Sequence, residues 1–564
     1  MRACELLVWC LENEGTRYVF GVPGEETEAL LFALDASSIE FVPTRHEQGA
    51  AFIANVWGRL TGTVGVCLST LGPGATNLMT GVADANLDKA PLVAITGQGD
   101  LERLHNESHQ LLDVVAMLRP VTKWNTSISA PQIVPEVVRK AFKVAELEKP
   151  GATHLELPED VAGMEVDDGL RPLSKRGVRR PAPDHQALNE TMQLLREARR
   201  PLVIAGNGAI RGHASQHLTE LAERLDIPVV ATFMGKGAVS DRRRQSLFAM
   251  GMSFRDYVME AVDAADVVLT VGYDSAEYAP EQWNPGKDKR VVHIDFSPAE
   301  VYANYLPVVE VVSDISAAVW ELNRSLSADD VSFDHDWFPP VRERIVRDIA
   351  SYELEAGQPF TVPGVLNVLR SVLDDDALLI SDVGSHKMWI ARNFPTYVPN
   401  GCVISNGLAS MGIALPGGIA AALLDPARRV VAAMGDGGFL MNSQELETAK
   451  RLGVGFTVLV LNDFDYGLIS WKQEMSHERS VSTRIDNPDL KQYAESFGIR
   501  GYCPKDLGEL REGLREAVTS TELCVVEVRV DPSVNQELVE RLTDHWAGRA
   551  GPEAGAGGSD GAGP

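Results

Sequence analysis

Short, continuously apolar runs recur along the whole chain and constrain its fold more than any other feature. Residues 91–96, 201–206, 267–272, 430–434 and 456–461 are such runs, and stretches with helical periodicity separate them. A strand that is apolar on both faces belongs in a parallel sheet that is covered by helices on both sides. The alternation therefore predicts an α/β fold built from doubly wound parallel sheets.

Two stretches of distinct composition divide the chain. Residues 171–184 combine basic residues with three prolines, and residues 325–363 are acidic before Pro339 and Pro340. We interpret both as linkers, so the 564 residues form three domains of ordinary size. The predicted domains are 1–170, 185–325 and 360–545, and a Gly/Ala/Pro-rich tail, 547–564, is predicted to be disordered.

The charge and the cysteines exclude several classes of function. With 52 Lys and Arg against 79 Asp and Glu, the formal charge is −27, which disfavours binding to nucleic acid or to an anionic membrane. The 6 cysteines have no CxxC spacing, which argues against a zinc or redox motif. No apolar stretch is long enough to span a membrane, and the short N-terminal run between Glu5 and Glu12 does not read as a signal peptide. We therefore expect a cytoplasmic protein.

Glycines and carboxylates directly follow the last two apolar runs. Gly435, Asp436, Gly437 and Gly438 come after the first of these runs, and Asp463 comes just after the second. A single helical stretch joins the two strands, so they are expected to be neighbours with their carboxyl ends at one sheet edge. Glycines allow backbone amides to approach a phosphate, and paired carboxylates suit Mg²⁺. The pattern predicts a diphosphate site bridged by a metal ion.

A Gly-Asp-Gly string alone is usually only a turn, but here it is paired with a second motif 463 − 436 = 27 residues later. This arrangement resembles the thiamine diphosphate (ThDP) binding motif, which begins Gly-Asp-Gly and typically ends in Asn-Asn. The resemblance implies that the side chains of Asp436 and Asp463 and the backbone carbonyl of Asp465 bind Mg²⁺. Asp463 replaces the usual Asn and adds a negative charge, as in some acetolactate synthases of the catabolic type.

The first domain carries a second matching string. Residues 44–51, Thr-Arg-His-Glu-Gln-Gly-Ala-Ala, place Glu47 where a helix is expected to begin, and a helix N-terminus favours an acid for electrostatic reasons alone. The same string is similar to the one that carries the catalytic glutamate in the ThDP-dependent acetolactate synthases. Residues 71–77 resemble the loop of that family that lines the pyrimidine end of the cofactor.

The resemblance to this family covers about residues 1–540 and implies further site residues. Met411 would be the apolar wedge that bends the cofactor, and the Ala409 carbonyl would accept a hydrogen bond from its 4′-amino group. Gln110 and Lys123 match catalytic positions beside Glu47. The other implied cofactor contacts are Pro23, Gly24, Gly72, Pro73, Asn77, Gly384, Ser385, His386, Tyr466 and Gly467.

The resemblance also implies the reaction and the assembly. Members use ThDP and Mg²⁺ to decarboxylate pyruvate and join the remaining two-carbon unit to a second 2-oxo acid; with pyruvate the products are 2-acetolactate and CO₂. The three domains would be a pyrimidine-binding, a central and a diphosphate-binding domain. Because the glutamate and the metal site of this family meet across a subunit interface, a homodimer is implied and a homotetramer is common. A small regulatory subunit is left open.

Other functions are compatible with parts of the pattern. Many simple 2-oxo acid decarboxylases carry a His-His pair, which none of the 12 histidines forms. A flavin-dependent pyruvate oxidase would bind FAD in the central domain, where Gly206-Asn207-Gly208 is a weak nucleotide signal; we do not favour FAD. A ThDP-binding protein without activity would be expected to have lost Glu47, Asp436 or Asp463.

One position bears on the second substrate. The biosynthetic synthases usually have a Trp on the helix that follows the metal loop, where it narrows the acceptor site. Here that position is Lys472, with Trp471 beside it. The replacement predicts a catabolic-type enzyme that uses pyruvate, rather than 2-oxobutyrate, as its acceptor.

Overall fold

The structure, a computed structural model, describes residues 1–167, 169–177, 180–251 and 256–538. These residues form three six-stranded sheets, and the strand pairs within each sheet are parallel. Alternate residues along a strand enter different cores: Leu92 and Ala94 pack on one face of the first sheet, and Val93 and Ile95 pack on the other. The predicted fold of three doubly wound parallel sheets is confirmed. The predicted tail, 547–564, lies outside the described residues.

The first sheet has the strand order β2-β1-β3-β4-β6-β5. Its strands are β1 (Tyr18–Gly21), β2 (Glu40–Pro43), β3 (Gly65–Ser69), β4 (Leu92–Gln98), β5 (Trp124–Ser127) and β6 (Ala152–Pro158). Its helices are α1 (Ala3–Glu14), α2 (Glu28–Asp35), α3 (Glu47–Thr61), α4 (Pro73–Leu87), α5 (Val114–Leu118), α6 (Val134–Glu146) and α7 (Glu159–Gly163). The strand order reverses between β1 and β3, which opens a crevice beyond their carboxyl ends.

The second sheet has the order β12-β11-β10-β7-β8-β9 and reverses between β7 and β10. Its strands are β7 (Pro201–Ala205), β8 (Val229–Ala231), β9 (Ser246–Ala249), β10 (Val267–Val271), β11 (Arg290–Asp295) and β12 (Val309–Val312). Its helices are α8 (His185–Glu197), α9 (Asn207–Arg211), α10 (Ser215–Leu225), α11 (Tyr257–Ala264), α12 (Pro280–Trp283) and α13 (Ile315–Ser325).

One of the two predicted linkers is partly helical. Within 325–363, helix α14 (Pro339–Ala350) buries Val341 and Ile345 against the core beside α11. The two side chains are four residues apart and therefore lie on one helical face, while the prolines occupy the first turn, where they are tolerated. The interpretation of this whole stretch as a linker was wrong, because the prolines and acids concealed this short amphipathic pattern.

The third sheet repeats the topology of the first, with the order β14-β13-β15-β16-β18-β17. Its strands are β13 (Leu378–Ser381), β14 (Cys402–Ile404), β15 (Val430–Gly435), β16 (Thr457–Asn462), β17 (Arg500–Tyr502) and β18 (Cys524–Arg529). Its helices are α15 (Val362–Val372), α16 (Ser385–Asn393), α17 (Ala414–Leu424), α18 (Asp436–Asn442), α19 (Glu445–Leu452), α20 (Gly467–His477), α21 (Leu490–Ser496) and α22 (Leu507–Thr519).

The first and third domains share one hydrophobic core. Helix α3 packs on α17, and small residues bring the two backbones together: a Cβ added at Gly417 would lie 2.9 Å from Cγ2 of Val56. The core of each domain continues across this contact. Among the described residues, none of the helices is both long and apolar enough to cross a membrane.

Candidate active site

The third sheet carries a cleft at the point where its strand order reverses, between β13 and β15. Parallel sheets characteristically bind ligands in such a position. Every residue that the sequence predicted as a third-domain cofactor or metal contact lines this cleft: Gly384, Ser385, His386, Ala409, Met411, Gly435, Asp436, Gly437, Gly438, Asp463, Asp465, Tyr466 and Gly467.

The two predicted metal-binding carboxylates come from adjacent strands. Asp436 begins α18 directly after β15, and Asp463 follows β16, which pairs with β15 in parallel register. Asn487 connects the ends of both strands, since its Nδ2 donates to Asp436 Oδ2 at 2.5 Å and to Asn462 Oδ1 at 3.1 Å. The arrangement fixes two carboxylates at one edge of the cleft.

The electrostatics of this edge favour a bound cation. Burial and then the negative charge of Asp436 raise the pKa of Asp463 to about 7, and burial also raises the pKa of Asp436. Ionising both carboxylates without a counter-ion is therefore costly. The described residues contain no group of three or more His, Cys, Asp or Glu side chains that could hold a metal. Two carboxylates and a carbonyl instead suit Mg²⁺, which completes its shell with phosphate and water oxygens.

Glycines keep the cleft open for a ligand. A Cβ at Gly467 would overlap the Asp463 carboxylate, and one at Gly437 would lie 2.9 Å from the ring of Tyr466. The ring of the buried His386 lies against Gly435, and its Nε2 has no hydrogen-bond partner among the described residues. A diphosphate would supply the acceptor that this nitrogen lacks, so these residues fit the expected cofactor.

The loop that carries Ala409 and Met411 has a specific backbone shape. Ala409 has φ of +57°, which is uncommon for a residue with a side chain. The amide of Gly412 donates to both carboxylate oxygens of Asp382, at 2.8 and 3.0 Å. Met411 reaches toward the diphosphate turn, because its Cε would be 3.4 Å from a Cβ at Gly437. The loop thus places a bulky apolar side chain next to the predicted cofactor site.

The first domain holds Glu47 at the start of α3, just beyond the carboxyl end of β2. The side chain is only 8% exposed, and Asn77 Nδ2 donates to its Oε2 at 3.0 Å. Asn77 lies on α4, which begins at Pro73, so most of the segment expected to be a loop, 71–77, is the first turn of a helix; proline is tolerated there because its missing N–H would have no helical partner. The structure therefore brings Glu47 and Asn77 together.

The other predicted residues of the first domain lie after β1, β3 and β4: Pro73 is the first residue of α4, and Gln110 follows β4. Gly24 lies against Thr70, next to Gly72, and a Cβ at Gly72 would lie 2.7 Å from the carbonyl oxygen of Gln110. Gly72 has φ of +51°, which requires glycine-like freedom. Pro23, Pro73 and Gln110 are exposed. The loops after β1 and β3 flank the reversal of strand order between these two strands.

Lys123 does not belong to this group. It directly precedes β5, and its backbone amide bonds to Ala152 at the start of β6, so it lies at the amino edge of the sheet, opposite Glu47. Its Nζ donates to the carbonyls of Leu147 and Lys149 at 2.6 and 2.8 Å, and burial lowers its pKa to about 8. The prediction of Lys123 as a catalytic cation is therefore wrong for this chain; the lysine holds a turn.

Several residues of the site escaped the sequence reasoning. Asn487 binds Asp436 from a distant segment, and Asp382 anchors the Met411 loop. Glu445 accepts hydrogen bonds from the backbone amides of Arg45 and His46, which ties α19 to the turn before Glu47. No local pattern marks Asn487 or Glu445. Asp382 ends an apolar run, which was a usable signal.

The two neighbouring residues that bear on the choice of second substrate, Trp471 and Lys472, lie in different surroundings. Trp471 is buried and belongs to a core cluster of the third domain, whereas Lys472 is exposed. Leu468 lines the cleft, and Lys472 follows it by four residues on α20, so both lie on one helical face.

Comparison with known proteins agrees with this geometry. Family models of the thiamine pyrophosphate enzymes match along the chain: the N-terminal TPP binding domain at residues 1–117, the central domain at 188–322 and the C-terminal TPP binding domain at 382–528. The fold and the site thus define a thiamine pyrophosphate enzyme.

Relatives of similar length narrow the class. The acetolactate synthase of Bacillus subtilis (strain 168) is 34% identical over 553 residues, which are 95% of this chain and 94% of that protein. The catabolic acetolactate synthase of Raoultella terrigena is 34% identical, with 95% and 96% covered. The probable acetolactate synthase large subunit of Methanocaldococcus jannaschii is 32% identical, with 96% and 95% covered. The chain belongs to the acetolactate synthase family of thiamine pyrophosphate enzymes.

Proposed function

We propose that this protein is an acetolactate synthase that decarboxylates pyruvate and joins the two-carbon remainder to a second pyruvate. The observation that carries the proposal is the cleft that its glycines keep open, with the buried carboxylate of Asp436 and the partly buried carboxylate of Asp463 at one edge; this arrangement fits a metal-bound diphosphate. When bound, ThDP supplies a carbon nucleophile that adds to the keto group of a 2-oxo acid and accommodates the electron pair left by departing CO₂.

The third domain would hold the diphosphate end of the cofactor. Asp436, Asp463 and the Asp465 carbonyl would bind Mg²⁺, and the ion would offset the charge of both the carboxylates and the diphosphate. Backbone amides at Gly437 and Gly438, at the start of α18, and the unpaired nitrogen of His386 would donate to phosphate oxygens. These groups would orient the cofactor by its diphosphate end, so that its reactive carbon faces the remaining part of the cleft.

Glu47 would exchange a proton with the pyrimidine end of the cofactor. Its carboxyl group is buried and is held by Asn77 at 3.0 Å, so it can hydrogen-bond a ring nitrogen in a fixed direction. Met411 would support the cofactor between its two rings, and the Ala409 carbonyl would accept from the 4′-amino group. Such positioning contributes to catalysis by proximity, with Gln110 nearby on the loop against Gly72.

The apolar lining of the cleft would keep water from the reacting carbon. Val362, Leu461, Leu468, Ile469 and Val530 all line it. A water-poor pocket favours the loss of the charged carboxylate as neutral CO₂. Restricted access of water at these residues would also disfavour side reactions with water.

We propose that two subunits complete each site, in a homodimer or a homotetramer. The residues found to line the cleft in the described parts of the chain all come from the third domain, whereas Glu47 lies in the first. The side chain of Ile469 lines the cleft and is 51% exposed, so a partner subunit would cover it. Light scattering of the purified protein tests the assembly, and a mass that is not a multiple of 61.3 kDa would reveal a small regulatory subunit.

We propose that the central domain works without FAD. The amides of the glycine loop after β7 already have partners: Gly206 donates to Val271 at 3.0 Å, Asn207 to the buried Glu277 carboxylate at 3.1 Å, and Gly208 to Gly272 at 2.8 Å. A dinucleotide phosphate would have to displace a carboxylate from these donors. A visible absorption spectrum without flavin bands supports the proposal, and bands near those of bound flavin overturn it.

Pyruvate is the proposed acceptor as well as the proposed donor. With Trp471 turned into the core and Lys472 exposed, the helix after the metal loop presents no aromatic wall to recognise a longer acceptor. Reaction of pyruvate mixed with an equal concentration of 2-oxobutyrate should therefore give mainly 2-acetolactate. A large excess of the mixed product would refute this specificity.

The six cysteines support a proposed cytoplasmic location. All six, at positions 4, 10, 67, 402, 503 and 524, are free thiols, and five of them are buried. Free thiols without disulfides suit a reducing compartment. Cell fractionation with an antibody to the protein would test this location.

One assay separates the proposed synthase from its alternatives. The protein is incubated with pyruvate, ThDP and Mg²⁺, and the products are analysed before and after acid treatment. Acetoin formed on acidification supports the synthase, and acetaldehyde alone would indicate a simple decarboxylase. Absence of both products, with ThDP still bound, would indicate a non-catalytic ThDP-binding protein.

A further inference from the structure

Two buried aspartates at the end of α4 hold the loop that carries Ala409 and Met411, residues 405–412. Asp84 Oδ1 accepts from Ser405 Oγ at 2.9 Å and from the Ser410 amide at 3.4 Å. Asp84 and its neighbour Asp88 are 0% and 1% exposed. Neither lines the cleft, and the proposed reaction does not use them directly.

Asp88 holds the first half of the same loop. Its Oδ1 accepts from the amides of Asn406 and Gly407, at 3.2 and 2.7 Å. The contact is close, because a Cβ at Gly407 would lie 2.6 Å from the carbonyl oxygen of Leu87, the last residue of α4. The loop backbone therefore rests directly on the end of this helix.

A third group of contacts keeps the carboxylates and the loop in place. Asn55 Nδ2 donates to Asp84 Oδ2 at 2.8 Å, and Arg59 Nη1 donates to Asp88 Oδ2 and to the Ile404 carbonyl, at 3.5 and 2.6 Å. From the third domain, Lys387 Nζ donates to Asn406 Oδ1 at 3.0 Å. The loop is thus held by charged groups from two domains.

The position of these acids is unfavourable for α4 itself. Negative charge at the carboxyl end of a helix opposes the helix dipole, and burial together with the charge of Asp88 raises the pKa of Asp84. A local role in the helix does not account for them. Their hydrogen bonds to the loop do, since buried carboxylates are tolerated when donors satisfy them.

We propose that Asp84 and Asp88 are positioning residues that give the 405–412 loop the shape in which Ala409 and Met411 meet the cofactor. The proposal rests on the proposed function only in the identity of that cofactor as ThDP. The proposal gives α3 and α4 a role at both ends. Their amino ends carry Glu47 and Pro73, and their carboxyl ends hold a loop that lines the diphosphate cleft.

A purely structural role in docking the two domains is the competing explanation, and Asp241 is the matched control. Asp241 is also a buried aspartate, at 7% exposure, and it also bonds a backbone amide of the third domain, that of Thr396 at 2.8 Å. It joins the second domain to a segment outside the 405–412 loop. Asp241→Asn therefore weakens domain docking without touching the loop.

The test compares holoenzyme carrying Asp84→Ala, Asp88→Ala or Asp241→Asn. Two quantities are measured: the dissociation constant of ThDP in Mg²⁺, and the rate at which the C2 proton of bound ThDP exchanges in deuterium oxide. The loss of these buried hydrogen bonds predicts, for the Asp84 and Asp88 variants, an increase of about tenfold or more in the dissociation constant and a decrease of about tenfold or more in the exchange rate. Asp241→Asn should leave both unchanged, and Asp88→Asn, which keeps one acceptor, should recover part of the loss.

The exchange rate needs no pyruvate, so the outcomes separate the two proposals. Slow exchange in the Asp84 and Asp88 variants supports positioning even if the wild-type protein forms no acetolactate. Wild-type exchange and ThDP affinity in both variants would overturn it, as would an equal loss in Asp241→Asn. If a variant fails to fold, Ser405→Ala, which removes only one hydroxyl from Asp84, should still slow exchange by about threefold or more, and no change would refute the role.

Discussion

Replacing Asp463 by Asn should make the metal-free protein more stable and the metal-bound protein less so. Burial and the charge of Asp436 raise the pKa of Asp463 from 3.8 to about 7. The folded protein therefore holds this proton more tightly than the unfolded chain, and raising the pH through this range favours unfolding. Asn has the same shape and retains one ligand oxygen, but it has no charge to bury.

The magnitude follows from the width of that pH range. Each pH unit costs about 1.4 kcal/mol, so the cost is absent below pH 3.8 and reaches an upper bound of about 4 kcal/mol above pH 7. Water at the open side of the cleft lowers this bound, and we expect about 2 kcal/mol at pH 8. Because the first and third domains share one core, we expect them to unfold together, and about 2 kcal/mol would then shift their thermal midpoint by about 3 °C.

The assay is thermal unfolding of the metal-free protein in a chelator at pH 5 and pH 8. Asp463→Asn should raise the midpoint at pH 8 and do so much less at pH 5, whereas Asp35→Asn, which removes an exposed charge, should have little effect at either pH. With Mg²⁺ and ThDP added, the wild-type protein should gain more stability than the variant. Equal shifts at both pH values, or a less stable variant at pH 8, would refute the electrostatic account.

Three further predictions concern the cofactor site. Glu47→Gln keeps the size of the side chain and an acceptor for Asn77, so ThDP binding should persist while turnover falls by about 10² to 10⁴; wild-type turnover would exclude the assignment. Gly467→Ala places a methyl group against the Asp463 carboxylate and should raise the Mg²⁺ concentration needed for half-maximal activity by about tenfold; an unchanged requirement would count against the metal site. Co-expression of Glu47→Gln with Asp436→Ala chains should restore about a quarter of wild-type activity if two subunits share each site, since one site of each mixed dimer is then intact; no restoration would place each site within one chain.

Much of the diphosphate cleft was predictable from the sequence, because ligands bind beyond the carboxyl ends of parallel strands. Asp436 and Asp463 directly follow apolar runs that the structure shows as adjacent strands β15 and β16. The strand order of the sheet was not predictable from those runs, because tertiary packing, and not local sequence, determines that β13 pairs with both β14 and β15. The reversal of strand order that opens the cleft became visible only in the fold.

Residues whose role depends on distant contacts were beyond local patterns. Asp84 meets Ser405 across 321 positions, and Asn487 meets Asp436 across 51. Lys123 shows the opposite failure: its string matched a family position, but Lys123 directly precedes β5, which places it at the amino edge of the sheet, away from Glu47. A matching string does not show at which edge of a sheet a residue lies.

The products formed from pyruvate alone test the central claim most directly. Purified protein with ThDP and Mg²⁺ should release one CO₂ for every two pyruvates consumed and form 2-acetolactate, which acid converts to acetoin. Formation of acetaldehyde with one CO₂ for each pyruvate, or no consumption of pyruvate by protein that binds ThDP, would contradict the account.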